Sequence, residues 1–125
     1  MKAIVIKQYG GPEVLAIEER PDPQPAPGRV VIEVKAFGLN HAEIYFRKGA
    51  WGDVAEISGI ECVGPVRSDP ERRFPQGQKV MALVGSMGRG INGSYAEFVS
   101  VPHTNVVAVD TAITHDYGTI TVTVH

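Results

Sequence analysis

Apolar residues recur at every second position along much of this chain, and glycine and proline divide the runs into short segments. Lys2-Ala-Ile-Val-Ile-Lys7 is a β-branched run closed by Tyr9-Gly10-Gly11-Pro12, which predicts a strand followed by a turn. Glu13 to Glu19 resumes with Val14, Leu15 and Ile17 and is predicted to be its hairpin partner. Pro21, Pro23, Pro25 and Pro27 come next, each fixing a φ angle and removing an N–H, so the segment is expected to be an extended surface connector. Arg29 to Phe37 has the clearest two-residue period, with Ile32, Val34 and Ala36 on one face and Val31, Glu33 and Lys35 on the other.

Asn40 to Lys48 is predicted as a short helix, with Asn40 suited to cap it and Gly49 suited to end it. Ile60 to Val66 reads as a strand in which Gly59 and Gly64 mark close backbone approach. Asp69-Pro70 and Phe74-Pro-Gln-Gly77 are turns, and Gln78 to Val84, Ser94 to Val101 and Asn105 to Val109 read as further strands. Thr119 to His125 alternates Ile120, Val122 and Val124 against threonines, the pattern of a one-faced strand. Seven or eight short strands with turn signals between them, and no strand–helix–strand alternation, predict a mainly β fold: a partly open barrel with one or two short helices.

Composition narrows the function classes. A chain of 125 residues that is 43% hydrophobic and 21% charged has the makeup of one globular domain rather than a disordered or fibrous segment. Its net charge of -2 and the absence of a basic lobe argue against a nucleic-acid partner. No apolar run approaches the length of a membrane span, and a cytoplasmic protein is the expectation. One cysteine, Cys62 in an apolar run, excludes an internal disulfide framework and reads as an inert buried thiol.

Gly88-Arg-Gly90-Ile-Asn-Gly93 matches G-x-G-x-x-G, the phosphate-binding pattern, letter for letter. That pattern works when a helix N-terminus follows it. Ser94-Tyr-Ala-Glu-Phe-Val-Ser-Val-Pro102 is too short and too rich in strand formers to supply one, so a flexible loop is expected.

The chemistry-bearing cluster is Asn40-His41 with Glu43, followed by the aromatics Tyr45 and Trp51. Polar groups at a strand end beside aromatics are how a cleft is commonly furnished. The cluster lies in Val30 to Gly49, V-V-I-E-V-K-A-F-G-L-N-H-A-E-I-Y-F-R-K-G. Together with Met1-Lys-Ala-Ile-Val, Gly10-Gly11-Pro12-Glu-Val-Leu15, Gly59-Ile-Glu61 with Gly64, and Phe74 to Val80 leading to Gly93-Ser-Tyr-Ala-Glu-Phe98, it resembles the N-terminal catalytic, GroES-like domain of the medium-chain dehydrogenases/reductases. The zinc-independent quinone oxidoreductases are the most similar branch. The order and spacing agree over about residues 1 to 110.

The resemblance implies hydride transfer from NADPH to a quinone or conjugated carbonyl. Asn40 would orient cofactor or substrate oxygen, Tyr45 would offer a phenol and a flat wall, and Trp51 would enclose the nicotinamide ring, although the family more often has tyrosine there. The bland reading of Tyr45 and Trp51, as caps on a small core, stays open. Zinc-dependent relatives carry cysteine at the place of Asn40 and histidine at that of Ile60. An amide and an isoleucine cannot replace them, so no metal is expected. His41, Glu43 and Glu61 are expected to serve hydrogen bonds at element ends, and His103, His115 and His125 to lie on the surface.

Members of that family continue beyond the place of Asp110 into a Rossmann-type nucleotide-binding domain, and this sequence departs from them there. The resemblance divides it into a catalytic domain over residues 1–110, a linker-like segment over 111–118, and a strand over 119–125 completing the same domain, as though the nucleotide domain had been removed. An unrelated or frameshifted tail is the other reading. Either way the chain alone is expected to be inactive or nearly so, with no tight NADPH binding. It is also expected to expose an apolar face to a homodimer or a protein partner. A non-enzymatic β-barrel binding module is the competing class. A GroES-type co-chaperone is disfavoured, because the Gly85 to Gly93 loop offers only Met87 and Ile91 as apolar anchors.

Overall fold

The computed structural model describes residues 1–109. β1 (Lys2–Ile6) and β2 (Leu15–Glu19) form the expected antiparallel hairpin, with Ile4 opposite Ile17. The first residues of the second run are not strand: Pro12 starts a single 3-10 turn, Pro12–Val14, for which its fixed φ is preset. Met1 then pins the next segment, its amino group lying 2.9 Å from Asp22 Oδ1 and 2.7 Å from Arg20 O.

The main sheet contains β3 (Arg29–Glu33), β4 (Glu61–Ser68), β5 (Lys79–Leu83), β6 (Phe98–Pro102) and β7 (Val106–Ala108), in the order β6-β3-β4-β5-β7. Every pairing is antiparallel. The edge strands β6 and β7 are consecutive in the chain, joined only by the 3-10 turn His103–Asn105. So short a connection cannot cross a flat five-stranded sheet, because each residue spans at most about 3.6 Å. The sheet therefore curls until its edges approach, giving an open barrel. Val30, Ile32, Cys62, Val66, Val80, Ala82, Met87, Val99, Val101 and Val106 form its core, with Val34, Phe74 and Ile91 packed against them.

The predicted strand from Arg29 to Phe37 is regular only to Glu33. Beyond it the backbone keeps both neighbours in irregular pairing: Val34 N–H donates to Glu97 O at 2.9 Å, before β6, and Lys35 N–H donates to Val63 O of β4 at 2.9 Å. The close approach of the two backbones here is possible because Gly64 has no Cβ, which would collide with Glu33 O. Val31 is also buried, so β3 is covered on both faces rather than one. The strand expected from Ser94 begins at Phe98, preceded by an isolated bridge between Ala96 and Ala3.

α1 (His41–Lys48) is the predicted helix, and Gly49 ends it in the left-handed region at φ 77°. After Gly93 the chain enters bridges and β6, and no α-helix follows it among the described residues. The expected linker and terminal strand lie outside the described residues.

Candidate active site

The N-terminus of α1 is built around Glu43. Its Oε2 accepts the Asn40 N–H at 2.8 Å, and its Oε1 accepts the Ile60 N–H at 3.2 Å. Glu43 sits one turn into the helix, so its carboxylate reaches back to an unsatisfied terminal N–H, half of a capping box, and also ties the helix to the start of β4. Burial pushes the Glu43 carboxyl up, and these backbone N–H groups oppose that rise. The hydrogen-bonding role expected for Glu43 is the one observed.

Above this terminus lies a cavity of about 430 Å³, whose lining includes Leu15, Leu39, Asn40, Ile44, Ser58 and Tyr95. Its size falls within the range of small-molecule sites, roughly 300 to 1,000 Å³. The walls are largely apolar, yet two of the lining residues, Asn40 and Ser58, each carry a polar atom, Nδ2 and Oγ, that is buried with no hydrogen-bond partner among the described residues. Native proteins rarely leave such atoms unpaired unless something else binds them. Tyr95 packs on Phe37 with ring centroids 4.7 Å apart, and burial pushes its phenol up, with the Glu43 and Glu61 carboxylates adding to the effect.

The segment bearing Ser58 is held rigidly. Gly93 N–H donates to Ile57 O at 2.8 Å, Tyr95 N–H to Ser58 O at 3.0 Å and Ser94 N–H to Gly59 O at 3.2 Å. Gly93 is required here, since a Cβ would lie 2.5 Å from Ser58 O. Ser94 Oγ completes the clasp by donating to Glu61 O at 2.7 Å.

Tyr45 and Trp51 lie apart from this cavity. Tyr45 is five residues after Asn40, which turns it roughly 140° around the helix. Its ring stacks on Trp51 with centroids 5.3 Å apart and planes 16° from parallel. Phe46, buried, meets Trp51 edge-on at 5.4 Å, and the Arg89 guanidinium lies 5.9 Å from the indole. The pair remains about half exposed, at 44% for Tyr45 and 47% for Trp51, with Trp51 covering the buried Phe46 and the outer faces open at the surface. Asn40, His41 and Glu43 of the sequence-named cluster thus line the cavity, while Ser58 and Tyr95 join them from segments whose sequence pattern carries no such signal.

The donor set does not fit zinc. Both Glu43 oxygens accept backbone N–H groups, Ile60 offers no ligand atom, and the buried Cys62 thiol is pushed up to about 12 by desolvation. Among the described residues no group of three or more His, Cys, Asp or Glu side chains is placed to hold a metal. No helix among them is long and apolar enough to cross a membrane.

Residues 26–111 match the alcohol dehydrogenase GroES-like domain family. A quinone oxidoreductase of Mus musculus is 36% identical over 110 residues, covering 78% of this chain and 30% of that protein. An alcohol dehydrogenase of Rhizobium meliloti is 35% identical over 88 residues, covering 70% of this chain and 21% of that protein. Among solved structures, a mycobacterial protein in complex with NADPH superposes with a TM-score of 0.78 at 31% identity, covering 91% of this chain and 34% of that one. The chain therefore spans about a third or less of these relatives.

Proposed function

The chain belongs to the alcohol dehydrogenase GroES-like domain family, and on that premise we propose that it forms the substrate side of an NADPH-dependent quinone or conjugated-carbonyl oxidoreductase that works without zinc. The observation that carries the reading is Asn40 Nδ2, a buried unpartnered donor beside an apolar cavity. A quinone or enone needs a flat apolar pocket for its carbons and one or two donors for its oxygen. Leu15, Leu39 and Ile44 supply the first, and Asn40 supplies a donor.

NADPH, when bound, supplies the hydride. Asn40 holds an oxygen of the substrate or of the nicotinamide amide so that the acceptor carbon is presented correctly, and a donor placed there stabilises the charge that develops on a substrate oxygen. The Tyr45–Trp51 stack offers a flat, half-exposed aromatic surface outside the cavity, and the resemblance gives it the role of covering a nicotinamide ring. The zinc-free reading rests on the donor set at Asn40, Ile60 and Glu43.

Relatives several times longer place this domain beside further sequence, and most contacts to the dinucleotide are assigned to that portion in the whole enzyme. Isolated, the chain is expected to bind NADPH weakly and to turn over little. The domain is read as residues 1–110, near where the family match ends, with 111–118 a linker and 119–125 a returning strand. Its place is the cytoplasm. The exposed Ile17, Phe37 and Leu39 suit a surface covered by another domain or subunit.

Thermal unfolding in millimolar NADPH tests the reading, because a ligand of the native state raises the melting temperature. A rise that NADH does not match and that Asn40→Ala abolishes is expected. No rise with either nucleotide would favour the non-enzymatic module, for which the same exposed apolar side chains argue.

A further inference from the structure

Asn40 accounts for one unpaired donor in the cavity, and the hydroxyl of Ser58 is left over. Ser58 is 2% exposed, it lines the cavity, and its Oγ has no partner among the described residues. Its backbone is fixed by the bonds from Gly93, Ser94 and Tyr95 to residues 57, 59 and 58, so only rotation about its own side-chain bond is left to the hydroxyl. The unmet hydroxyl is therefore built into the fold and maintained by glycine at position 93, where any side chain would strike Ser58 O. The lining also carries His41, Glu43 and Arg47; the Glu43 carboxylate is already used by two backbone donors, the Arg47 Nε donates to Gly10 O, and Ser58 Oγ is left unmatched.

We propose that Ser58 is a specificity-determining residue of this site, its hydroxyl donating a second hydrogen bond beside Asn40 to the carbonyl oxygen of a small cyclic enone or quinone. The inference rests on the substrate-side reading above and adds to it the rejection of ligands without an oxygen. A pocket with two unpaired donors binds a carbonyl compound well and its hydrocarbon counterpart poorly, since the counterpart leaves both donors buried and unmet.

The test uses the full chain with 2-cyclohexen-1-one and with cyclohexene, titrated by NMR, and compares wild type with Ser58→Ala and Asn40→Ala. Wild type is expected to favour the enone. Ser58→Ala is expected to weaken enone binding roughly threefold to tenfold, the range for one neutral hydrogen bond, and to leave cyclohexene unchanged or tighter. The same variant is expected to melt higher than wild type, because it removes an unsatisfied hydroxyl. A structural role for Ser58 would lower the melting temperature instead.

If Asn40→Ala weakens enone binding and Ser58→Ala does not, the Ser58 inference is overturned while the substrate-side reading stands. If Ser58→Ala weakens both ligands equally, the residue only shapes the cavity and the inference fails. If wild type shows no preference for the enone, both readings fail together.

Discussion

Glu43 Oε1 accepts the backbone N–H of Ile60 at 3.2 Å, joining the first turn of the helix to the strand entry 17 residues later. Ile60 stands where zinc-dependent relatives place a histidine ligand. In this chain the position serves through its backbone, and its side chain is apolar. One carboxylate thereby orders both the helix terminus that carries Asn40 and the strand entry next to Ser58.

Replacing Glu43 tests that joint. Glu43→Gln keeps one acceptor oxygen but turns an NH₂ toward a backbone donor, leaving a buried N–H unmet. The expected cost is about 1–3 kcal/mol, read as a lower denaturant midpoint with an unchanged slope. A second readout is pH. Burial raises the Glu43 carboxyl above its ordinary 4.5, so the stability linked to this group is fullest below 4.5 and is lost as pH rises through the raised native value. The glutamine variant should lack that limb.

The amino terminus gives two limbs of its own. Its hydrogen bond to Asp22 raises the Met1 amine above 8.0 and lowers Asp22 below 3.8. The amine's contribution is complete below 8.0 and is lost as pH rises through its raised native value. That of Asp22 is complete above 3.8 and is lost as pH falls through its depressed native value. Urea midpoints measured across pH should show both losses in wild type and neither in Asp22→Asn.

Gly93→Ala is expected to be among the most damaging single-methyl changes. The added Cβ meets the carbonyl oxygens of Ser58 and Gly59, both backbone atoms, and neither can move without breaking the clasp. A loss of about 3 kcal/mol is expected from chemical denaturation, with the cavity's ligand affinity falling as well. By contrast, a Cβ at Gly77 meets nothing within 4 Å, and Gly77→Ala should cost only the strain of its φ of 86°, about 1–2 kcal/mol.

Val84 is held at φ 50°, a conformation that β-branched side chains disfavour, while its N–H donates to Ile60 O at 2.6 Å. The side chain is half exposed, so little packing is lost by changing it. Val84→Asn, which tolerates the left-handed region, should stabilise the fold by about 1 kcal/mol in thermal or urea unfolding.

Much of the fold was legible in these residues because alternation and turn chemistry are local. Asn40 and Gly49 bracketed the helix, and the Lys2 and Leu15 runs paired as a hairpin. The early end of β3 was less legible, since its pairing with β4 shifts register and only Gly64, on that other strand, hints at the close approach. The site divided in the same way. Asn40 stood out by its neighbours, but Ser58 and Tyr95 meet it through hydrogen bonds between segments more than thirty residues apart, for which a one-dimensional period carries no signal. Tyr45 and Trp51 are grouped with Asn40 by the resemblance, and in the structure they stack on each other outside the cavity that Asn40 lines.

The side-chain amide of Asn40 gives the most direct measurement of the central claim. In ¹⁵N-labelled protein titrated with 2-cyclohexen-1-one, its NH₂ resonances should shift downfield and saturate, as an unpaired donor gains an oxygen partner, while distant amides such as that of Gly77 stay fixed. Asn40 resonances that remain still while the ligand binds elsewhere, or a protein that binds no enone at all, would contradict the account.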